Sequence, residues 1–139
     1  GGRTAKRRKR FNHFGTRIGV AFQIVDDLFD YLSEPEVTGK PVGYDLAEGK
    51  VTLPLIAALR QATQTDRVKL CRLAGRKKWT KEQWGSLVAL IERTGGFQYA
   101  RERAAILAAE ARAAIADERK GAARRALDAA IDYAIQRTH

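Results

Sequence analysis

Between Phe14 and Leu32 the apolar residues Ile18, Phe22, Val25, Leu28, Phe29 and Leu32 recur three or four apart. That spacing fits a helix of 3.6 residues per turn and no strand. Pro35 blocks its continuation beyond Glu34. Inside this apolar segment, in the stretch FQIVDDLFDY, lie three aspartates, Asp26, Asp27 and Asp30. Carboxylates are among the side chains least often buried without a partner. At about 100° per residue, Gln23, Asp26, Asp27 and Asp30 fall on one stripe, and like charges at that spacing repel. Something positive should compensate them.

The same periodicity governs the rest of the chain, and no strand alternation interrupts it. The expected class is all-α. Glu34 to Gly49 holds Pro35, Gly39, Pro41, Gly43 and Gly49, a density of breakers that predicts a long loop. A helix should begin near Thr52 with Pro54 in its first turn. Asp66 should cap a shorter helix through Leu73, closed by Gly75. Thr80 with Gln83 makes a capping box for a helix through Arg93, which Gly95 and Gly96 stop. The remainder, rich in Ala and Arg with Leu107, Ile115, Leu127 and Ile131 as anchors, should break near Gly121.

Length and charge bound the possibilities. With 139 residues, 45% of them hydrophobic, one modest core is expected. No apolar run reaches the roughly 20 residues that span a bilayer. The lone Cys71 excludes an internal disulfide and suits a cytoplasmic setting. There is no methionine, so the chain is expected to be a piece of something longer. Of the net charge of +10, much sits in residues 1 to 10, GGRTAKRRKR, which have no acidic residue. That segment is expected to be a disordered basic end. It also keeps open a small helical nucleic-acid-binding protein, although that reading leaves the aspartates unexplained. His13 and His139 have no partner at metal spacing, and Trp79 and Trp84 read as packing anchors.

Carboxylates one turn apart suit a hard cation. Mg²⁺ takes one or two protein carboxylates and leaves its other positions to water and phosphate. Asp26 and Asp30 have that spacing. The alternative is a solvated acidic face paired with the chain's many Lys and Arg. The following segment, GKPVGYDLAEGKVTLP, carries Lys40 and Lys50 in a Gly-rich and Pro-rich setting, and lysine is a compact charge suited to phosphate. Together the two halves point to a metal-bridged diphosphate.

FQxxDDxxD, GKPxGxDLxEGKxTLP and the later GGFQYARERA segment, in this order, resemble the trans (head-to-tail) polyprenyl diphosphate synthases. These are the farnesyl, geranylgeranyl and longer-chain synthases. The resemblance covers about Phe14 to the C-terminus, so residues 11–139 are expected to be the C-terminal part of such a domain. It implies a partial helical bundle of the isoprenoid synthase type, about five to six helices, usually from a homodimer. It implies condensation of isopentenyl diphosphate with an allylic diphosphate, assisted by Mg²⁺. Asp26, Asp27 and Asp30 take the catalytic positions, with Asp26 and Asp30 as metal ligands. Lys40, Lys50 and Gln23 take the substrate side, and Asp45 a supporting one. The family's first aspartate-rich motif, its arginine pair and its Lys-Thr pair have no match here. The chain alone is therefore expected to be inactive, or to act with a complementing chain as a subunit of a two-chain synthase.

Overall fold

The computed structural model describes residues 2–33 and 43–136. Every regular element among them is helical. In chain order these are α1 (Gly2–Leu32), α2 (Tyr44–Ala47), α3 (Leu53–Gln61), α4 (Gln64–Ala74), α5 (Lys81–Arg93), α6 (Gly96–Ala114) and α7 (Ala122–Gln136). Among the described residues these are six helices of two turns or more, as expected, together with the single turn α2 inside the expected loop. The chain divides into two compact units, one of Gly1–Val25 with Arg101–His139 and the other of Asp26–Ala100.

The first unit draws on α1, α6 and α7. Phe14 of α1, Ala108 and Ala111 of α6, Ile115 just past the end of α6 and Ile131 of α7 are buried together, with Ile18, Leu127 and Ile135 packed around them. The alanines at spacing three on α6 let helices approach closely, so a few large side chains suffice to fill the interior. Ion pairs line its edge: Arg17 meets Glu110 at 2.7 Å, and Arg112 reaches both Asp128 and Asp132 at 2.9 Å.

The basic segment, expected to be disordered, is helical from Gly2 onward. Lys and Arg are good helix formers and no breaker lies between Arg3 and Phe14. Part of the charge is also answered at long range. The Arg7 guanidinium donates to Glu118 at 3.1 Å, Arg10 lies 3.5 Å from the same carboxylate, and Arg7 sits over the Phe11 ring at 5.2 Å. Those arginines hold the Glu118 carboxyl below the usual range.

The second unit begins with the last two turns of α1. Thr52 precedes α3, and Pro54 occupies the first turn, where a missing N–H costs nothing. The helix after it starts at Gln64 and is capped by Thr63, whose hydroxyl accepts from the Asp66 amide at 3.2 Å. Asp66, expected as the cap, instead lies within the first turn, and its carboxylate accepts two hydrogen bonds from Arg93 at 2.8 and 3.1 Å. The Thr80–Gln83 capping box forms with both reciprocal bonds. Leu55, Leu70, Leu87, Ile91 and Phe97 are fully buried. Gly96 opens α6 against α3. A Cβ there would collide with the Pro54 carbonyl and come within 2.7 Å of Ile91, so only glycine admits this approach.

Candidate functional site

Asp26, Asp27 and Asp30 stand half-buried on the last two turns of α1, beside the buried Val25, Leu28 and Tyr31. The apolar face anchors the helix and the carboxylates rise at its margin. Gln23, exposed, stands one turn earlier on the same helix and belongs to the first unit. Ser33 ends α1 by bonding back to the Phe29 carbonyl through its amide at 3.0 Å and its hydroxyl at 2.6 Å.

The chain then returns to α1 at Gly43. The Gly43 amide donates to the Asp30 carbonyl at 3.3 Å, and the Asp45 amide donates to the Asp30 carboxylate at 3.3 Å. Asp30 is thus a bracket for the returning segment as well as a carboxylate. Gly43 adopts a left-handed φ of 79°, and a Cβ on it would lie 2.7 Å from the Trp84 ring. Both conditions require glycine. One turn of helix follows, and the Lys50 amide donates to the Asp45 carbonyl at 2.9 Å. The exposed Lys50 ammonium lies 3.8 Å from the Asp45 carboxylate. The structure therefore brings Asp30, Asp45 and Lys50 into one chain of contacts. Lys40 lies outside the described residues.

Beneath this arrangement Tyr31 is buried, stacked on Trp84 and edge-on to Phe97. Burial pushes its phenol up to about 12. Thr52 softens that shift without completing a hydrogen bond of ordinary geometry, and the negative charges of Asp30, Asp27 and Asp45 add to it. Neither Tyr31 nor the bracketing role of Asp30 was read from the sequence. The signal available was the position of Tyr31 one turn from Leu28 on the apolar stripe, next to a carboxylate.

The pair Asp26 and Asp30 fits a cation whose remaining shell is water and phosphate. Both are half-buried, and they are one helical turn apart. Among the described residues no group of three or more His, Cys, Asp or Glu converges in a way that could hold a metal by itself. Two carboxylates one turn apart would suit an open oxygen site completed by other ligands rather than a closed cage. No described helix is long and apolar enough to cross a membrane.

Comparison with known proteins is consistent across sequence and fold. The chain is 37% identical over 128 residues to a short chain isoprenyl diphosphate synthase of Methanothermobacter thermautotrophicus, a match covering 91% of this chain and 38% of that protein. It is 35% identical over 97 residues to heptaprenyl diphosphate synthase component 2 of Bacillus subtilis, covering 70% and 27%. Its fold matches a geranylgeranyl pyrophosphate synthetase of Pyrococcus horikoshii with a TM-score of 0.82 at 28% identity, over 92% of this chain and 38% of that one. It also matches a geranylgeranyl pyrophosphate synthase of Corynebacterium glutamicum, solved with isoprenyl diphosphate and magnesium. There the TM-score is 0.80 at 31% identity, over 93% and 37% of the two chains. The chain thus spans well under half the length of these relatives. The Polyprenyl synthetase family model matches residues 1–91, the basic segment included, and the chain belongs to that family.

Proposed function

We propose that this chain is the diphosphate-binding portion of a prenyltransferase that condenses isopentenyl diphosphate with an allylic diphosphate. The observation that carries the reading is the bracket at Asp30, which ties the aspartate turns of α1 to the segment bearing Asp45 and Lys50. Asp26 and Asp30 would hold Mg²⁺, with Asp27 shaping the same acidic face. Bound there, the ion supplies positive charge that stabilises a departing diphosphate. Lys50, and by the family resemblance Lys40, place ammonium groups against the diphosphate oxygens, where charge develops as the allylic bond breaks. By the same resemblance Gln23 lies toward the reacting carbons.

The partner halves of the reaction, the first aspartate-rich motif and the arginine pair, have no counterpart in this sequence. A homodimer alone does not supply them, so the reading includes a complementing segment or chain. The Bacillus subtilis relative, named as component 2 of its synthase, supports the two-chain form. A cytoplasmic setting accompanies this reading, supported by the lone Cys71.

Mg²⁺ with geranyl diphosphate should raise the melting temperature by mass action on the folded state. Asp26→Ala should abolish the Mg²⁺-dependent part of the shift. Absence of any Mg²⁺-dependent shift in the intact protein would sink the binding claim.

A further inference from the structure

A second concave surface lies within the Asp26–Ala100 unit and is not lined by the aspartates. It is a groove of about 890 Å³, a size that suits a small ligand. Its floor is aromatic and aliphatic. Tyr31 stacks on Trp84 with centroids 5.7 Å apart, Trp79 meets Trp84 edge-on at 5.1 Å, and Leu32 and Val88 extend the apolar wall. The Trp79 indole N–H is already spent on the Leu73 carbonyl at 2.7 Å. The Trp79 indole is therefore a fixed wall with no polar demand of its own, and Trp84 is held against it and against Tyr31 by ring contacts.

The rim is the opposite in character. Lys77, Lys78 and Lys81 all line it, and all are exposed. Among the described residues none of the three is in an ion pair. The Thr80–Gln83 capping box satisfies the start of α5 here, so the positive character of the rim comes from ammonium groups. Three cations within five residues, with no ion-pair partner among the described residues, repel one another, and an anion relieves them. An apolar floor beside a cationic rim selects a ligand with an apolar chain and an anionic head. A purely apolar ligand would forgo the lysines, and a bare anion would leave the indoles in water.

We propose that this groove binds a second phosphorylated isoprenoid, its chain against Trp79 and Trp84 and its phosphates toward Lys77, Lys78 and Lys81. The choice of an isoprenoid rests on the prenyltransferase reading, whereas the metal requirement separates the two sites. The aspartate face needs a divalent cation to receive a diphosphate. The lysine rim does not.

Trp79 and Trp84 are the only tryptophans in the chain, so indole emission reports on this groove. The experiment titrates the intact protein with farnesyl diphosphate in excess EDTA, following tryptophan fluorescence. Saturable quenching is expected, retained in Asp26→Ala. In the Lys77→Glu/Lys78→Glu/Lys81→Glu variant it should weaken at least about tenfold. These lysines are exposed, and circular dichroism checks that the variant keeps its helices. Farnesol and inorganic diphosphate should each bind at least about tenfold more weakly than farnesyl diphosphate. Quenching that requires Mg²⁺ and vanishes in Asp26→Ala would place the ligand at the aspartate face and overturn the proposal. So would equal affinity of the lysine variant, of farnesol or of diphosphate alone. A Mg²⁺-dependent thermal shift that fails while EDTA-resistant quenching persists would remove the prenyltransferase reading and leave the groove standing.

Discussion

Tyr31 lies flat against Trp84, the ring planes 9° apart, while its hydroxyl is buried without a hydrogen-bond partner of ordinary geometry. The stack holds the phenol in place although its polar end gains little there. Burial, with the carboxylates of Asp30, Asp27 and Asp45 nearby, raises its pKa from 10.0 to about 12. An unfolded chain would lose this proton near 10, so between about pH 10 and 12 the folded state holds more protons. Stability is then full below pH 10 and falls as pH rises through 12. The expected loss is of the order of 2 to 3 kcal/mol, from 1.36 kcal/mol per unit. Tyr31→Phe should flatten that alkaline limb, as measured by urea unfolding across the range. An unchanged limb in the variant would assign it to another group.

Asp30 combines two tasks that substitution can separate. Asp30→Asn keeps an oxygen acceptor for the Asp45 amide and removes the charge. Its melting temperature should stay near that of the parent protein, while the Mg²⁺-dependent shift with geranyl diphosphate is lost. Asp30→Ala removes the acceptor too, and should cost a further 1 kcal/mol or so for one hydrogen bond. If Asn and Ala destabilise equally, the bracket at Asp45 contributes nothing.

Gly43 and Gly96 are expected to resist even alanine. At Gly43 the left-handed backbone and the Trp84 ring oppose a Cβ together, at a combined cost of roughly 2 to 4 kcal/mol. At Gly96 the obstacles are the Pro54 carbonyl and Ile91, and the cost is roughly 1 to 3 kcal/mol. Gly85, where an added Cβ meets nothing, is the control, and Gly85→Ala should stabilise slightly by helix propensity. Chemical denaturation of the three variants orders them, and a destabilised Gly85→Ala would upset the scheme.

Much of the fold was legible wherever the determining forces are local. The apolar spacing of α1 from Phe14 to Leu32, Pro54 in the first turn of α3, and the Thr80–Gln83 box are all decided by neighbours within four residues. The misreadings are of the other kind. GGRTAKRRKR looks disordered because its charge has no local answer, and Glu118, which supplies one, is more than a hundred residues away. Asp66 and Thr63 are both good caps in isolation. Arg93 breaks the tie by claiming the Asp66 carboxylate. At the candidate site the stripe of aspartates was visible from helical spacing. The bracket of Asp45 on Asp30 was not, because it depends on where the chain returns after Ser33.

For Lys50 the consequence is one of exchange. Its ammonium is 67% exposed and 3.8 Å from Asp45, a pairing of the loose surface kind that typically contributes 0 to about 1 kcal/mol. A phosphate oxygen arriving there would not have to find a free cation. It would have to outbid a carboxylate, and it would meet a low reserve. If Lys50 meets a phosphate as proposed, this tether is weak enough to be surrendered, and Asp45, bonded through its own amide to Asp30, remains to pair with it again.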